Sequence, residues 1–138
     1  INVIEIKPEN ITEKVVKEVE KANAINDVIL QSFYPQVVKA VSELNPKIPR
    51  ALLIGGQIRI SKIAGIMSLI QQTLDVGATA LNVTSKIVSQ ELINEVHKRA
   101  MSIWSWTVDD EKEMKELIKM GIDGITSNYP ERLMTFRT

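Results

Sequence analysis

Two charged residues near the start of the chain are spaced so that they could act together on a ligand. Glu5 and Lys7 lie two positions apart in the mostly β-branched run 2–7. Alternate residues of a strand point to the same face. If Ile4 and Ile6 pack under helices, Glu5 and Lys7 face an interior where charged groups are costly unless they bind something. The alternative is a simple ion pair between the two side chains at the end of the strand.

For other residues that could take part in chemistry, a purely structural role is the alternative. Asn82 interrupts an apolar run, where its amide would either bind a ligand or satisfy a loop carbonyl. The single histidine, His97, lies in a charged amphipathic segment, which predicts a solvated or half-buried helix residue rather than a catalytic one. Asp109 and Asp110 follow a strand and begin a helix, so helix capping accounts for this pair of carboxylates. The chain has no cysteine, which excludes disulfides, zinc–thiolate sites and cysteine nucleophiles.

The elements that must position these residues alternate along the chain. Runs rich in β-branched and other apolar residues predict strands over 2–7, 27–33, 51–54, 79–83, 101–108 and 122–127. Helical spacing of apolar residues predicts helices after Asn10, from Pro35, over 61–75 and 90–99, over 110–120 and from Pro130. Asn10 with Glu13 resembles a capping box at the first helix, and Asp109 is the predicted cap of the helix over 110–120.

Six strands alternating with six helices are the pattern of a parallel sheet. A TIM (β/α) barrel has eight such units in about 250 residues. We therefore predict an α/β fold in which residues 1–138 form a single domain, a partial TIM barrel of about six of the eight units. An open flavodoxin-like sheet is the alternative. No glycine-rich phosphate loop follows the first strand, so a Rossmann or P-loop fold has no support.

The amino-acid composition limits the kinds of partner that the chain is expected to bind. Of 138 residues, 44% are hydrophobic and 25% charged, which is typical of a globular domain. Seventeen basic and seventeen acidic residues leave no net charge, so we expect no nucleic-acid partner. No apolar run reaches the roughly 18 residues of a membrane span. We also see no signal peptide, which predicts a cytoplasmic location.

Four short segments occur in an order that resembles one enzyme family. They are Ile-Glu-Ile-Lys at 4–7, Gln-Ser-Phe at 31–33, Trp-Thr-Val-Asp at 106–109, and Gly-Ile-Asp-Gly-Ile at 121–125 followed by Asn-Tyr-Pro at 128–130. Together they are similar to the C-terminal part of the glycerophosphodiester phosphodiesterase family of TIM barrels. The family's upstream His-Arg-Gly strand, its Glu-x-Asp strand and its second catalytic histidine have no counterpart here. Ser127 stands where the family usually has Thr.

The resemblance implies a metal-dependent phosphoric diester hydrolase of lipid and glycerol metabolism. Such an enzyme releases glycerol 3-phosphate and an alcohol, such as choline or ethanolamine, from a small-molecule glycerophosphodiester. By resemblance, Glu5 is one ligand of a divalent metal, Ca²⁺ or Mg²⁺, and Lys7 is a catalytic positive charge beside the phosphate. Phe33 and Trp106 would line the substrate cleft as an apolar wall, with core packing as the alternative for both. Asn82 is the further candidate for substrate binding.

The family's upstream residues also set an expectation for the isolated chain. Without the two catalytic histidines and two of the metal carboxylates, we expect it to be inactive by itself. The alternative function is that of a non-catalytic partial barrel, a structural or oligomerising fragment. Strands 3–6 and 122–127 would form two unpaired edges. We therefore expect either a homodimer or an N-terminal segment, not in this sequence, that completes the barrel.

Overall fold

A computed structural model describes residues 1–56 and 63–136 of the chain. The strands found among these residues are β1 (Asn2–Glu5), β2 (Val28–Ser32), β3 (Arg50–Ile54), β4 (Ala80–Thr84), β5 (Ser102–Trp106) and β6 (Gly124–Ile125). The helices are α1 (Thr12–Lys21), α2 (Pro35–Leu44), α3 (Ile63–Asp75), α4 (Gln90–His97), α5 (Glu111–Met120) and α6 (Pro130–Met134). The predicted start of the third helix, at 61, lies outside the described residues.

The described strands form one parallel sheet in the order β1-β2-β3-β4-β5-β6. Each strand pairs with its neighbour in the sequence, and every pairing is parallel. A doubly wound sheet would reverse its strand order at a switch point. The unbroken order therefore excludes the open flavodoxin-like alternative and confirms a partial barrel. β1 and β6 are the two edges of this half-barrel, since each has one partner strand within the described ranges.

The hydrophobic core lies between the sheet and its helices. Ile6 and Leu30 pack in a cluster with side chains of α1 and α2, and both are about 1% exposed. Leu81 and Ile103 pack in a second cluster with α3 and α4. Because residues alternate along each strand, the positions next to these core residues face away from the helices. These inward-facing positions include Glu5, Gln31, Leu53, Asn82 and Trp106, and they are the ones available to line a site.

Local signals explain most helix ends and correct two predictions. Asp110, not Asp109, caps α5 by accepting a hydrogen bond from the Glu113 N–H (2.9 Å). The same helix ends at Gly121, whose φ of 87° is the left-handed conformation that glycine adopts without strain. The capping box predicted at Asn10 is also wrong.

At the first helix, a 3₁₀ turn over Glu9–Ile11 precedes α1. The hydroxyl of Thr12 donates back to the carbonyl of Glu9 (2.8 Å). The cap position of α1 is Ile11, which has no side-chain capping bond. The turn occupies the residues that a capping box would need, and so it displaces the helix start by one position.

The described part of the chain contains no helix that is both long and apolar enough to cross a membrane.

Candidate functional site

A cleft of about 180 Å³ lies at the carboxyl ends of the strands. Its lining residues come from strands β1 to β5 and from the segments after β2, β5 and β6: Glu5, Gln31, Phe33, Leu53, Asn82, Trp106, Thr107 and Thr126. The carboxyl ends of the strands are where β/α barrels place their active sites. Four of the five residues predicted for the site, Glu5, Phe33, Asn82 and Trp106, meet in this cleft although they are far apart in sequence.

Two aromatic rings form one wall of the cleft. The Phe33 and Trp106 rings meet edge to face, with centroids 5.2 Å apart and planes at 84°. This is a favoured geometry for aromatic pairs. Gly55, just after β3, lies against both rings: a Cβ there would stand 3.0 Å from Trp106 Cη2 and 3.1 Å from Phe33 Cε1. Phe33 remains 42% exposed, so the wall presents an apolar surface to a ligand.

Amide groups form the floor of the cleft. Asn82 on β4 is 1% exposed, and its Nδ2 donates to Gln31 Oε1 on β2 (3.0 Å). The indole Nε1 of Trp106 donates to the backbone carbonyl of Asn82 (3.3 Å). The floor and the aromatic wall are thus joined through Asn82. Its amide does not bond a loop carbonyl in this arrangement.

The two charged residues predicted from β1 are separated. Glu5 lines the cleft and lies beside Gln31 in the register of β1 and β2. Lys7 follows the end of β1, is exposed, and is not among the lining residues. No ion pair joins them among the described residues, whose ion pairs lie on helices α1, α2 and α4 and at Asp123. The ion-pair alternative for Glu5 and Lys7 therefore has no support.

Metal ligands are sparse at the cleft. Glu5 is the single carboxylate among its lining residues. Over residues 1–56 and 63–136, no group of three or more His, Cys, Asp or Glu side chains could hold a metal ion. Ca²⁺ takes six to eight oxygen ligands, as a rule, and Mg²⁺ about six. The described residues alone therefore do not fit a complete metal site.

Asp109 fastens the two loops that carry Thr107 and Thr126. Its Oδ1 accepts from the Ser127 hydroxyl (2.9 Å) and the Asn128 backbone N–H (2.8 Å). Its Oδ2 accepts from Asn128 Nδ2 (2.9 Å). The hydrogen bond from the Asn128 side chain has the largest effect on the pKa of Asp109, and the bond from the Asn128 backbone N–H the next largest. Both lower this pKa below its ordinary value. The prediction that Asp109 serves in helix capping is wrong: it is a fastening between the loops after β5 and β6.

His97 lies at the opposite end of the sheet from the cleft. It ends α4, and its Nε2 contacts Asp123 Oδ2 (2.8 Å). The same oxygen accepts from the Ile103 N–H (2.8 Å) near the start of β5. Asp123 immediately precedes β6, so this cluster of contacts lies at the amino ends of β5 and β6. The placement agrees with the prediction that His97 is a partly solvated helix residue outside the site.

The sequence by itself predicted no chemical role for Gln31, Gly55 and Thr126, which lie in or against the cleft. Gln31 belongs to the Gln-Ser-Phe segment, and only its place in that segment drew attention to it. Gly55 is the first of two glycines that close an apolar strand, which indicates a close approach by something to the backbone. Thr126 gave no signal, since threonine is an ordinary strand residue.

A family model and a curated relative agree on one family. The model of the glycerophosphoryl diester phosphodiesterase family matches residues 1–132. A glycerophosphodiester phosphodiesterase of Caldanaerobacter subterraneus subsp. tengcongensis is 27% identical over 124 residues, which are 90% of this chain and 48% of that protein.

Solved structures show the same fold. The crystal structure of a glycerophosphodiester phosphodiesterase from Parabacteroides distasonis matches with a TM-score of 0.76 and 23% identity, over 96% of this chain and 55% of that one. An Oleispira antarctica phosphodiesterase, in complex with the product sn-glycerol-3-phosphate, matches with a TM-score of 0.74 and 19% identity. That match covers 95% of this chain and 52% of the other. The chain thus spans about half the length of these relatives.

Proposed function

Because the chain belongs to the glycerophosphoryl diester phosphodiesterase family, we propose that it is the C-terminal part of a hydrolase of glycerophosphodiesters. The products would be sn-glycerol 3-phosphate and an alcohol. The observation that carries the proposal is the convergence of Glu5, Phe33 and Trp106 on one cleft at the carboxyl ends of the strands. These are three of the residues that the family resemblance singles out. A cytoplasmic location stays a prediction.

The residues that the family resemblance singles out have roles that follow from their chemistry, including Lys7, which lies outside the cleft lining. The Phe33–Trp106 wall would pack against the carbon chain of the glycerol or the alcohol. Asn82 would hydrogen-bond a polar group of the substrate. Lys7, at the same end of β1, would place a positive charge near the phosphate, where negative charge develops during cleavage.

We also propose that Glu5 contributes one carboxylate ligand to a divalent metal, Ca²⁺ or Mg²⁺. Both ions prefer oxygen ligands, and Glu5 is a carboxylate in a cleft otherwise lined by amides, hydroxyls and apolar groups. The described residues do not complete a metal site by themselves. The catalytic histidines implied by the resemblance have no counterpart in the cleft as described.

The first test of the proposal is an activity assay. The isolated chain should release no glycerol 3-phosphate from glycerophosphocholine with either Ca²⁺ or Mg²⁺, because one carboxylate and no histidine line the cleft. A longer protein that carries this chain together with the family's His-Arg-Gly and Glu-x-Asp segments should release it. Metal-dependent turnover by the isolated 138-residue chain would contradict the first expectation, and no turnover by the longer protein would contradict the function.

In that longer protein, Glu5→Gln tests the ligand assignment. Loss of a ligand to a catalytic metal should raise the barrel enzyme's barrier by roughly 3 kcal/mol, on the order of 100-fold in kcat/KM. Glu43→Gln is the matched control, because Glu43 is an exposed carboxylate on α2. A Glu5→Gln enzyme as active as the Glu43→Gln enzyme would remove Glu5 from the site.

A second candidate function has its own observation. A groove of about 490 Å³ runs beside the edge strand β1. We call it the edge groove, and its lining is mostly apolar: Ile4, Ile11, Lys14, Val15, Glu18, Val19, Ala22, Ala24 and Val28. A strand edge next to an apolar groove favours association with another β/α element. A non-catalytic, oligomerising partial barrel is therefore the alternative function, and the state of association tests it.

A further inference from the structure

The floor of the cleft holds a buried hydrogen-bond acceptor without a partner. Asn82 Oδ1 is fully buried and has no hydrogen-bond partner among the described residues, while Nδ2 of the same amide is bonded to Gln31. A buried polar atom left unpaired costs free energy. Asn82 lines the cleft, so a group bound at its floor is the natural partner of this oxygen.

The direction of the Gln31–Asn82 bond follows from the neighbouring strand. Glu5 lies directly beside Gln31 in the register, and both side chains line the cleft. A carboxylate accepts hydrogen bonds and does not donate them when ionised. It therefore favours the orientation in which Gln31 turns Nε2 towards β1 and Oε1 towards Asn82. Oε1 then accepts from Asn82 Nδ2, as observed (3.0 Å), and Asn82 Oδ1 is left as an acceptor.

We propose that Asn82 Oδ1 recognises a free hydroxyl of the ligand, and that Gln31 is the positioning residue that keeps this oxygen as the acceptor. An acceptor cannot pair with an ionised phosphate oxygen or an ether oxygen, which also only accept. A hydroxyl donates, and its carbon chain would lie against the Phe33–Trp106 wall. The inference rests on the proposed function for the ligand class and adds which group of the ligand the floor selects.

The test compares two ligands that differ in hydroxyls alone. Binding of sn-glycerol 3-phosphate and of propyl phosphate to the chain is measured by NMR, using the side-chain amide signals of Asn82 and Gln31 and the indole signal of Trp106. Both probes carry a phosphate on three carbons. We expect glycerol 3-phosphate to bind at least about tenfold more tightly, since a site with an unpaired acceptor penalises the analogue that cannot donate.

Variants separate a specific role from a structural one. Asn82→Leu should remove the preference, because the acceptor oxygen is lost. Asn82→Asp keeps an acceptor oxygen and should keep the preference, while its negative charge weakens the binding of both phosphate probes. Gln31→Leu should reduce the preference severalfold, since the Asn82 amide is then free to turn. Gln71→Leu, an exposed glutamine of α3, is the matched control and should change nothing.

The outcomes distinguish this proposal from the proposed function. If the wild-type chain binds both probes equally, the hydroxyl acceptor is overturned while the cleft stands as a phosphate-ester site. If neither probe binds, the hydroxyl acceptor is overturned for this chain, while the proposed function is decided separately by turnover of the longer protein. A preference that survives Asn82→Leu also overturns the role of Asn82. The wild-type comparison decides the matter even if a variant fails to fold.

Discussion

Gly55 is the residue on which the aromatic wall depends most directly. The benzo ring of Trp106 and the edge of Phe33 both stand within about a van der Waals contact of the place where a Cβ would be. Larger residues at this position would push the rings out of the cleft. The absence of a side chain at one strand end thus shapes the binding surface as much as the rings themselves.

Gly55→Ala should destabilise the chain by about 1–3 kcal/mol, the usual cost of overpacking. The added Cβ would lie 3.0 Å from Trp106 Cζ2, tighter than nine in ten real Cβ contacts, so the indole must give way by a few tenths of an ångström. Urea unfolding and indole fluorescence measure the loss and the displaced ring. Trp106→Phe removes two of the three crowding atoms and leaves Phe33 Cε1, so the Gly55→Ala change should cost less in that background. An equal cost in both backgrounds would contradict the proposed contact.

The Asp109 fastening should make stability depend on pH. Hydrogen bonds from Asn128 lower the pKa of Asp109 in the folded chain. The ionised carboxylate therefore adds stability above its unfolded pKa of about 3.9, and this contribution disappears as pH falls through the lower folded pKa. In Asp109→Asn, the new NH₂ group would face Asn128 Nδ2, a donor against a donor.

We expect Asp109→Asn to lower the urea midpoint at neutral pH and to flatten its fall between about pH 5 and pH 2. Asp110→Asn is the matched control at neutral pH, because Asn caps helices about as well as Asp. If both variants have the same midpoint at neutral pH, Asp109 is not a fastening between the loops.

Among the elements, α4 is short and has a well-defined start. It runs for eight residues, and the Ser89 hydroxyl accepts from the Leu92 N–H (3.1 Å). Its apolar side chains Leu92, Ile93 and Val96 are each at most 1% exposed. Because a short helix has few internal hydrogen bonds, its first turn depends on the cap.

Ser89→Ala should therefore lower the free energy of unfolding by about 1 kcal/mol. Ser89→Asp retains an acceptor at the cap, and a negative charge suits a helix N-terminus, so it should keep most of the stability. Urea unfolding of the two variants beside the wild type makes the comparison. Equal stability of Ser89→Ala and wild type would show that packing alone holds α4.

At the scale of the whole molecule, the half-barrel has two open edges. On β1, Val3 is 50% exposed and Ile4 37% exposed, and the edge groove lies alongside. Unpaired backbone groups beside exposed apolar side chains favour pairing with another chain. This feature belongs to the sheet as a unit, since no single residue creates it.

We expect the isolated chain to self-associate, measured by light scattering with size-exclusion chromatography. Val3→Lys should weaken association, because an edge lysine opposes strand pairing. Leu44→Lys is the matched control: Leu44 is also an exposed apolar residue, at 46%, but it ends α2. A monodisperse wild-type monomer with cooperative melting would mean that these edges do not drive association.

Much of the architecture was predictable because its signals are local. The alternation of apolar strands with amphipathic helices depends on neighbours within a few residues, and it predicted every described strand and helix with small errors at the ends. The largest error is β6, expected over 122–127 and found at Gly124–Ile125. β6 is an edge strand, and edge strands are often very short. Its own sequence does not indicate that it lies at an edge of the sheet.

For the site, too, some features were determined by the sequence and others only by the tertiary structure. Residue types and order by themselves determined the family resemblance and the candidates Glu5, Lys7, Phe33, Asn82 and Trp106. Only the tertiary structure decided that four of them share a cleft, that Lys7 is not among its lining residues, and that Asn82 is joined to Gln31, 51 positions away. The physical reason is that hydrogen bonds and ring contacts between strands depend on register and side-chain direction, which sheet assembly sets and no local pattern encodes.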